Sequence, residues 1–128
     1  MDNERAASIT IAGKEYQLIL TTRATKEIAK RYGGLANLGD KLMKSENFEL
    51  ALDELIWLIA LLANQSILIH NFQHPEDKRE PLTEEEIELL TTPTDLAEYK
   101  DAIMDSMLRG TKRYVESEPQ PKKNASAG

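Results

Sequence analysis

Leu55-Ile56-Trp57-Leu58-Ile59-Ala60-Leu61-Leu62-Ala63 is the centre of a segment, Phe48 to Ile69, on which the reading of this chain turns. At helical spacing Phe48, Ala51, Leu55, Leu58, Leu62 and Ile69 fall on one stripe. Leu50, Trp57, Leu61 and Leu68 fall roughly opposite. A helix apolar on both sides has to be covered on both sides. It is the central helix of a domain, or its second face meets a partner. A bilayer span needs about 20 consecutive apolar residues. Here Asp53-Glu54 and Asn64-Gln65 bracket the run, so the segment reads as a core helix rather than a membrane element.

Upstream, Ser8 to Leu20 alternates. Ile9 and Ile11 point one way; after Ala12-Gly13-Lys14, Tyr16, Leu18 and Leu20 share a face while Glu15 and Gln17 take the other. Period two on either side of a glycine predicts a β-hairpin, which must lie on a helix or on another chain to persist. A helix follows, capped by Thr21 or Thr22, with Ala24, Ile28 and Tyr32 on one face and Gly33-Gly34 as its stop. Leu35, Leu38 and Leu42 mark a short amphipathic segment. Ser45-Glu46-Asn47 breaks the pattern and offers Asn47 as the next cap.

Downstream, Asn71 to Pro81 is polar, holds two prolines and predicts a loop. Leu82-Thr83-Glu84-Glu85-Glu86-Ile87 is a helix start: Thr83 and Glu86 stand at capping-box spacing, and Leu82 and Ile87 at staple positions. Three glutamates suit the positive end of the helix dipole, and this helix should end near Leu90 or Thr91. Thr92-Pro93-Thr94-Asp95 opens the last helix. Leu96, Tyr99, Ile103 and Met107 share its inner face. Gly110 either ends it or marks a close contact, and Tyr114 and Val115 are candidates to continue it. The expected organisation is a flexible N-terminus over residues 1–7, one globular domain over 8–115, and a disordered tail over 116–128 with almost nothing to bury.

Composition narrows the function classes. The chain has 128 residues, which suits one domain. It carries a net charge of −6 and a mean hydropathy of −0.48, as expected of a soluble acidic protein. It contains no Cys, so disulfides, thiolate nucleophiles and cysteine zinc sites are excluded. An acidic chain with 5% aromatic residues lacks the basic face and stacking platforms of a nucleic-acid binder. Met1-Asp2-Asn3-Glu4-Arg5 lacks the basic-then-apolar order of a signal peptide, so folding in the cytoplasm is expected.

Little in the sequence points to catalysis. His70 and His74, at i and i+4 with Glu76 and Asp77 nearby, have the spacing of two metal ligands. Pro75 follows at once and no third ligand is evident, so His70 is better read as a residue near a helix C-terminus. The Glu84-Glu85-Glu86 run is explained by capping. No phosphate loop, nucleophile motif or HExxH is present. The expectation is a non-enzymatic binding protein with no metal and no cofactor. Its candidate surfaces are the Leu50, Trp57, Leu61 and Leu68 face, the hairpin edge, and the acidic stretch from Glu76 to Glu88.

Ile9-Thr10-Ile11-Ala12-Gly13-Lys14-Glu15-Tyr16-Gln17-Leu18 resembles the opening hairpin of the small tail assembly chaperones of long-tailed bacteriophages. The step into a helix ending Ala29-Lys30-Arg31-Tyr32-Gly33 is similar too. So are Leu82-Thr83-Glu84-Glu85-Glu86-Ile87 and Asp95-Leu96-Ala97-Glu98 before a final helix. The resemblance covers about residues 8 to 115 and rests on the order of elements, since each string alone is ordinary hairpin or capping chemistry.

The resemblance implies a non-enzymatic protein of the host cell cytoplasm, absent from the finished virion. It would bind the tape measure protein and keep it soluble until the tail tube forms, with tail tube subunits as further partners. Alternatives are a tail or connector protein retained in the virion, and a host helical adaptor. Self-association is open to both the hairpin edge and the two-sided helix. The fold expected is mainly α, an N-terminal β-hairpin on a small bundle of about five helices around the central one.

Overall fold

The structure, a computed structural model, describes residues 6–44 and 48–116. Asn47 and residues 1–5 and 117–128, to which a cap, a flexible start and most of a tail were assigned above, lie outside the described residues. The described chain is mainly helical with an N-terminal hairpin: β1 (Ala6–Ile11), β2 (Lys14–Ile19), α1 (Thr22–Tyr32), α2 (Leu35–Lys44), α3 (Phe48–Gln73), α4 (Glu84–Leu90) and α5 (Pro93–Glu116). β1 begins two residues earlier than the alternation at Ser8 suggests.

The hairpin is antiparallel, with Ile11 opposite Lys14, Ile9 opposite Tyr16 and Ala7 opposite Leu18. Two residues, Ala12 and Gly13, make the turn, and both have positive φ, 52° and 80°. That is the requirement of a type I′ turn, whose twist matches that of the strands. Gly13 meets it without strain; Ala12 does so against the preference of a residue with a Cβ. Ala7, Ile9, Ile11 and Leu18 are buried on one face, as the alternation requires. Ile19, on the other face, is buried as well. The end of β2 is therefore covered on both sides, a consequence of lying across α3 that period two does not reveal.

α3 is the element around which the rest is arranged. β2, α1, α4 and α5 all pack on it. Leu55, Ile56, Leu58, Ile59, Leu62 and Ala63 are buried, joined by Ile28 of α1, Leu38 of α2, Ile87 of α4, and Leu96, Ile103 and Met107 of α5. By length and composition the stretch Leu52–Gln73 is apolar enough to cross a membrane, and half of it is buried inside the domain.

The helix runs four residues beyond Ile69, through His70 and then through Asn71, Phe72 and Gln73, which the sequence assigned to the loop. Its end follows from Pro75: the residue before a proline disfavours the helical region, so Gln73 is the last residue free to be helical. Gly110 likewise does not end α5, which continues through it and past Tyr114 and Val115.

Local grammar accounts for most other boundaries. Thr21 caps α1, its hydroxyl accepting from the Ala24 N–H at 3.0 Å. Gly33 closes that helix in the left-handed conformation. Both halves of the Thr83–Glu86 capping box form, and Leu82 and Ile87 are buried beneath it. Thr92 and Asp95 make the reciprocal arrangement at α5: the Thr92 N–H donates to Asp95 Oδ2 at 2.9 Å, and the Asp95 N–H to Thr92 Oγ1 at 3.1 Å.

α5 also packs on β1. The Tyr99 hydroxyl donates to the Thr10 carbonyl oxygen at 2.6 Å. Burial, then the nearby Asp95 and Glu98 carboxylates, raise the Tyr99 pKa above its ordinary 10.0. An acid whose pKa is raised by folding adds stability that is present below pH 10.0 and lost as pH rises through the folded value.

Two outcomes are expected in denaturation measurements. Ala12→Asn should stabilise the domain by about 0.5–1 kcal/mol, because Asn tolerates the left-handed region that the turn imposes. Tyr99→Phe should cost about 1 kcal/mol near neutral pH, and the gap to wild type should close as pH is raised beyond 10.0.

Candidate functional site

The four residues singled out on the outer stripe of α3 fare differently. Trp57 is half-buried beneath the C-terminal turn of α1. The Arg31 guanidinium carbon lies 4.4 Å from its ring centroid, and the Tyr32 ring meets it edge-on at 5.9 Å and 72°. Leu61 is half-buried against the core cluster. Leu68 is 37% exposed. Leu50 lies on α3 with its side chain outside the described part. The stripe is thus not one free face: α1 covers part of it and leaves the C-terminal end open.

A buried carboxylate explains why α1 sits over Trp57. Glu54, one turn before it, is almost fully buried. It accepts a hydrogen bond from the Tyr32 hydroxyl and lies 3.4 Å from Arg31 Nε. A buried charge without partners is costly, so this pairing fixes where the end of α1 can lie. The other end of α1 is fixed by an uncharged equivalent. Buried Gln65 accepts from Thr21 Oγ1 at 2.5 Å and donates to the Leu61 carbonyl oxygen at 3.1 Å. Glu54, Trp57 and Gln65 therefore form a stripe committed to holding α1.

Beyond Gln65 the same stripe is uncovered. Leu68 and Phe72 stand at i and i+4, and Phe72 is 88% exposed. They border an open groove of about 860 Å³. Among the described residues, the charged ones lining it are Arg23, in the first turn of α1, and Lys78, in the loop after α3. Sequence reasoning missed Phe72, Arg23 and Lys78. Carrying the i, i+4 spacing one step on from Leu68, still ahead of the position that Pro75 restricts, would have found Phe72; nothing local marks the two cations.

The loop bearing Lys78 is held by two carboxamides seven residues apart on α3. Asn71 accepts from the Arg79 N–H at 2.7 Å and donates to the Arg79 carbonyl at 3.0 Å. Asn64 does the same with Leu82, at 2.7 and 2.8 Å. Each amide acts like one rung of a strand ladder for an extended segment that has no strand to pair with.

His70 joins this clamp. Its Nε2–H donates to the Asp77 carbonyl oxygen at 2.7 Å, and its ring lies 4.8 Å from that of His74. Among the described residues, no three His, Asp or Glu side chains gather as a metal site would require. The histidine pair has a structural assignment: it closes the end of α3 and the turn that follows.

The other candidate surfaces are also placed. On β1's outer edge the Thr10 carbonyl is taken by Tyr99, while the sheet has two strands, so β2 has no strand on its outer side among the described residues. That side borders a groove of about 660 Å³, lined in part by Tyr16, Ile19, Ile67 and His70. Glu76 to Glu88 is exposed apart from Leu82 and Ile87.

Tyr32→Phe should destabilise the domain by about 1–3 kcal/mol, because Glu54 stays buried and loses a donor. Trp57→Ala should cost about 2–3 kcal/mol, at the low end for an aromatic truncation because the ring is only half-buried. Phe72→Ser should lie within about 0.5 kcal/mol of wild type in the same urea titration. Comparison of the chain with family models, with curated proteins and with solved structures finds no match for it.

Proposed function

We propose that this chain is a non-enzymatic tail assembly chaperone of a bacteriophage or prophage, which binds the helical tape measure protein in the host cytoplasm and keeps it soluble until the tube forms. The observation that carries the reading is the open end of the α3 stripe. Leu68 and Phe72 stand exposed one helical turn apart, beside a groove whose charged residues are all cationic, on a chain of net charge −6.

Apolar anchors one turn apart match the spacing of a helix laid in a groove. An acidic exterior keeps a complex of many copies soluble. The order of elements, hairpin then helices with the capped α4 before the last, is the order that the resemblance implies. A surface this small binds weakly per copy, as a chaperone that must later be displaced requires. Tail tube subunits are the second partner class in this reading. Trp57 supports the surface from beneath by holding α1, and the direct contacts belong to Leu68 and Phe72.

Co-expression with the tape measure protein of the phage or prophage that carries the gene, followed by affinity capture, tests this. The tape measure protein should be soluble only in the presence of this chain and should co-purify with it. Leu68→Asp combined with Phe72→Asp should abolish capture while the circular dichroism spectrum is unchanged. A tape measure protein that stays insoluble, or that binds the double variant equally well, would overturn the reading. Recovery of the chain from purified particles would favour a retained virion protein instead.

A further inference from the structure

The chain holds two histidines, and the fold brings both to one place. His70 lies in the last turn of α3, and His74 follows that helix with its N–H donating to the His70 carbonyl oxygen at 2.7 Å. The closing turn sets the two rings side by side, their centres 4.8 Å apart. Among the described residues, one of their four ring nitrogens makes a hydrogen bond, His70 Nε2 to the Asp77 carbonyl oxygen. That bond accounts for His70 alone. The His74 ring is half exposed, and nothing in the closure of α3 calls for an imidazole there.

We propose that His70 and His74 together bind one transition-metal dication of the zinc class, through His70 Nδ1 and His74 Nε2, with water in the remaining positions. The far nitrogen of each ring is already matched to an oxygen. A carbonyl oxygen only accepts, so His70 carries its proton on Nε2 and keeps the Nδ1 lone pair free. An Asp77 carboxylate oxygen lies 3.5 Å from the same Nε2. A Glu76 carboxylate oxygen lies 3.8 Å from His74 Nδ1, which favours the proton there and the lone pair on Nε2. A metal-binding imidazole characteristically hands its other N–H to a carbonyl or carboxylate in this way.

The ring separation fits as well. Ligand bonds of about 2.0–2.1 Å and bond angles between about 90° and 110° place the centres of two imidazoles on one metal roughly 4.5–5.2 Å apart. The observed 4.8 Å lies inside that range. Two protein ligands fall short of the three or four that a catalytic or structural centre uses. The site is therefore an exchangeable one, its open positions facing the groove of about 660 Å³ that both histidines border. Imidazole nitrogen selects zinc, copper or nickel over magnesium and calcium, which prefer oxygen. Phe72 lies between the two ligands in the chain, so a metal held by both would stiffen the turn that carries it. Metal binding here is independent of the chaperone reading.

The test is a calorimetric titration of the full chain, free of chelators and of any histidine tag, with zinc chloride and separately with magnesium chloride. With two histidines and no Cys in the chain, imidazole or thiolate ligation has no other source. Zinc should bind one per chain, and magnesium should give no comparable heat. His70→Gln and His74→Gln should each raise the zinc dissociation constant more than about tenfold, beyond about 1.4 kcal/mol. His74→Gln is the cleaner variant, because it leaves the bond from His70 to Asp77 in place and should keep the wild-type circular dichroism spectrum. Saturating zinc should raise the thermal midpoint of wild type and leave that of His74→Gln unchanged.

Nitrogen-15 spectra of the imidazoles read the ligating atoms directly: zinc should move His70 Nδ1 and His74 Nε2 together. A wild type that takes up no zinc, zinc binding that survives His74→Gln, or magnesium bound as tightly as zinc would each overturn the proposal. The last result would assign the cation to the carboxylates of the loop. One zinc per two chains, with a doubled mass in sedimentation, would overturn it too, because the ligands would then come from different copies.

Discussion

α3 carries Leu55, Ile56, Leu58, Ile59, Ala60, Leu62 and Ala63 buried around its axis, an arc of roughly 200° at 3.6 residues per turn. Leaving that arc in water would forfeit about 1.5–3 kcal/mol for each large aliphatic side chain. No single neighbour covers so wide an arc. The hairpin, α1, α4 and α5 each take a sector of it, and their mutual placement is set by the helix they share. The hairpin has only two strands and depends on this cover for its own stability.

Polar groups decide how the covering elements are registered. Glu54 with Tyr32 and Arg31, Gln65 with Thr21, and the Asn64 and Asn71 amides with the extended loop are all contacts between α3 and another segment. Apolar packing tolerates sliding, whereas a buried polar atom must meet its partner within hydrogen-bonding distance. These contacts therefore locate α1 and α4 along α3. They also decide which part of the outer stripe stays uncovered: its C-terminal end, at Leu68 and Phe72. The groove between Arg23 and Lys78 exists because α1 and the loop are pinned on either side of Leu68 and Phe72.

The reading of Trp57 illustrates the limit of periodicity. Its spacing with Leu61 and Leu68 marks an apolar stripe correctly, but periodicity does not say what lies over it. Arg31 and Tyr32 close on the ring through a carboxylate that looks, in the sequence, like a polar bracket to an apolar run. The loop after α3 is a second case. Asn71 looks like a loop residue by composition, yet it is helical, and with His70 it faces a segment that returns along the helix. The prolines in that stretch set where α3 stops, and the amides set where the chain goes next.

The sequence alone determined the hairpin, through alternation about Gly13; the start of α4, through the Thr83–Glu86 box and its staple; the end of α1, through Gly33; and the identity of α3 as the core helix. These are local devices, in which a few neighbouring residues satisfy backbone groups or a periodic face, so they are legible without knowing what lies nearby. Only the tertiary structure decided that Ile19 is buried on the second face of β2, that Gly110 lies within α5, that Trp57 is covered, and that Leu68, Phe72, Arg23 and Lys78 share one groove. Each depends on segments far apart in the chain brought together by the burial of α3, and no local pattern encodes that meeting.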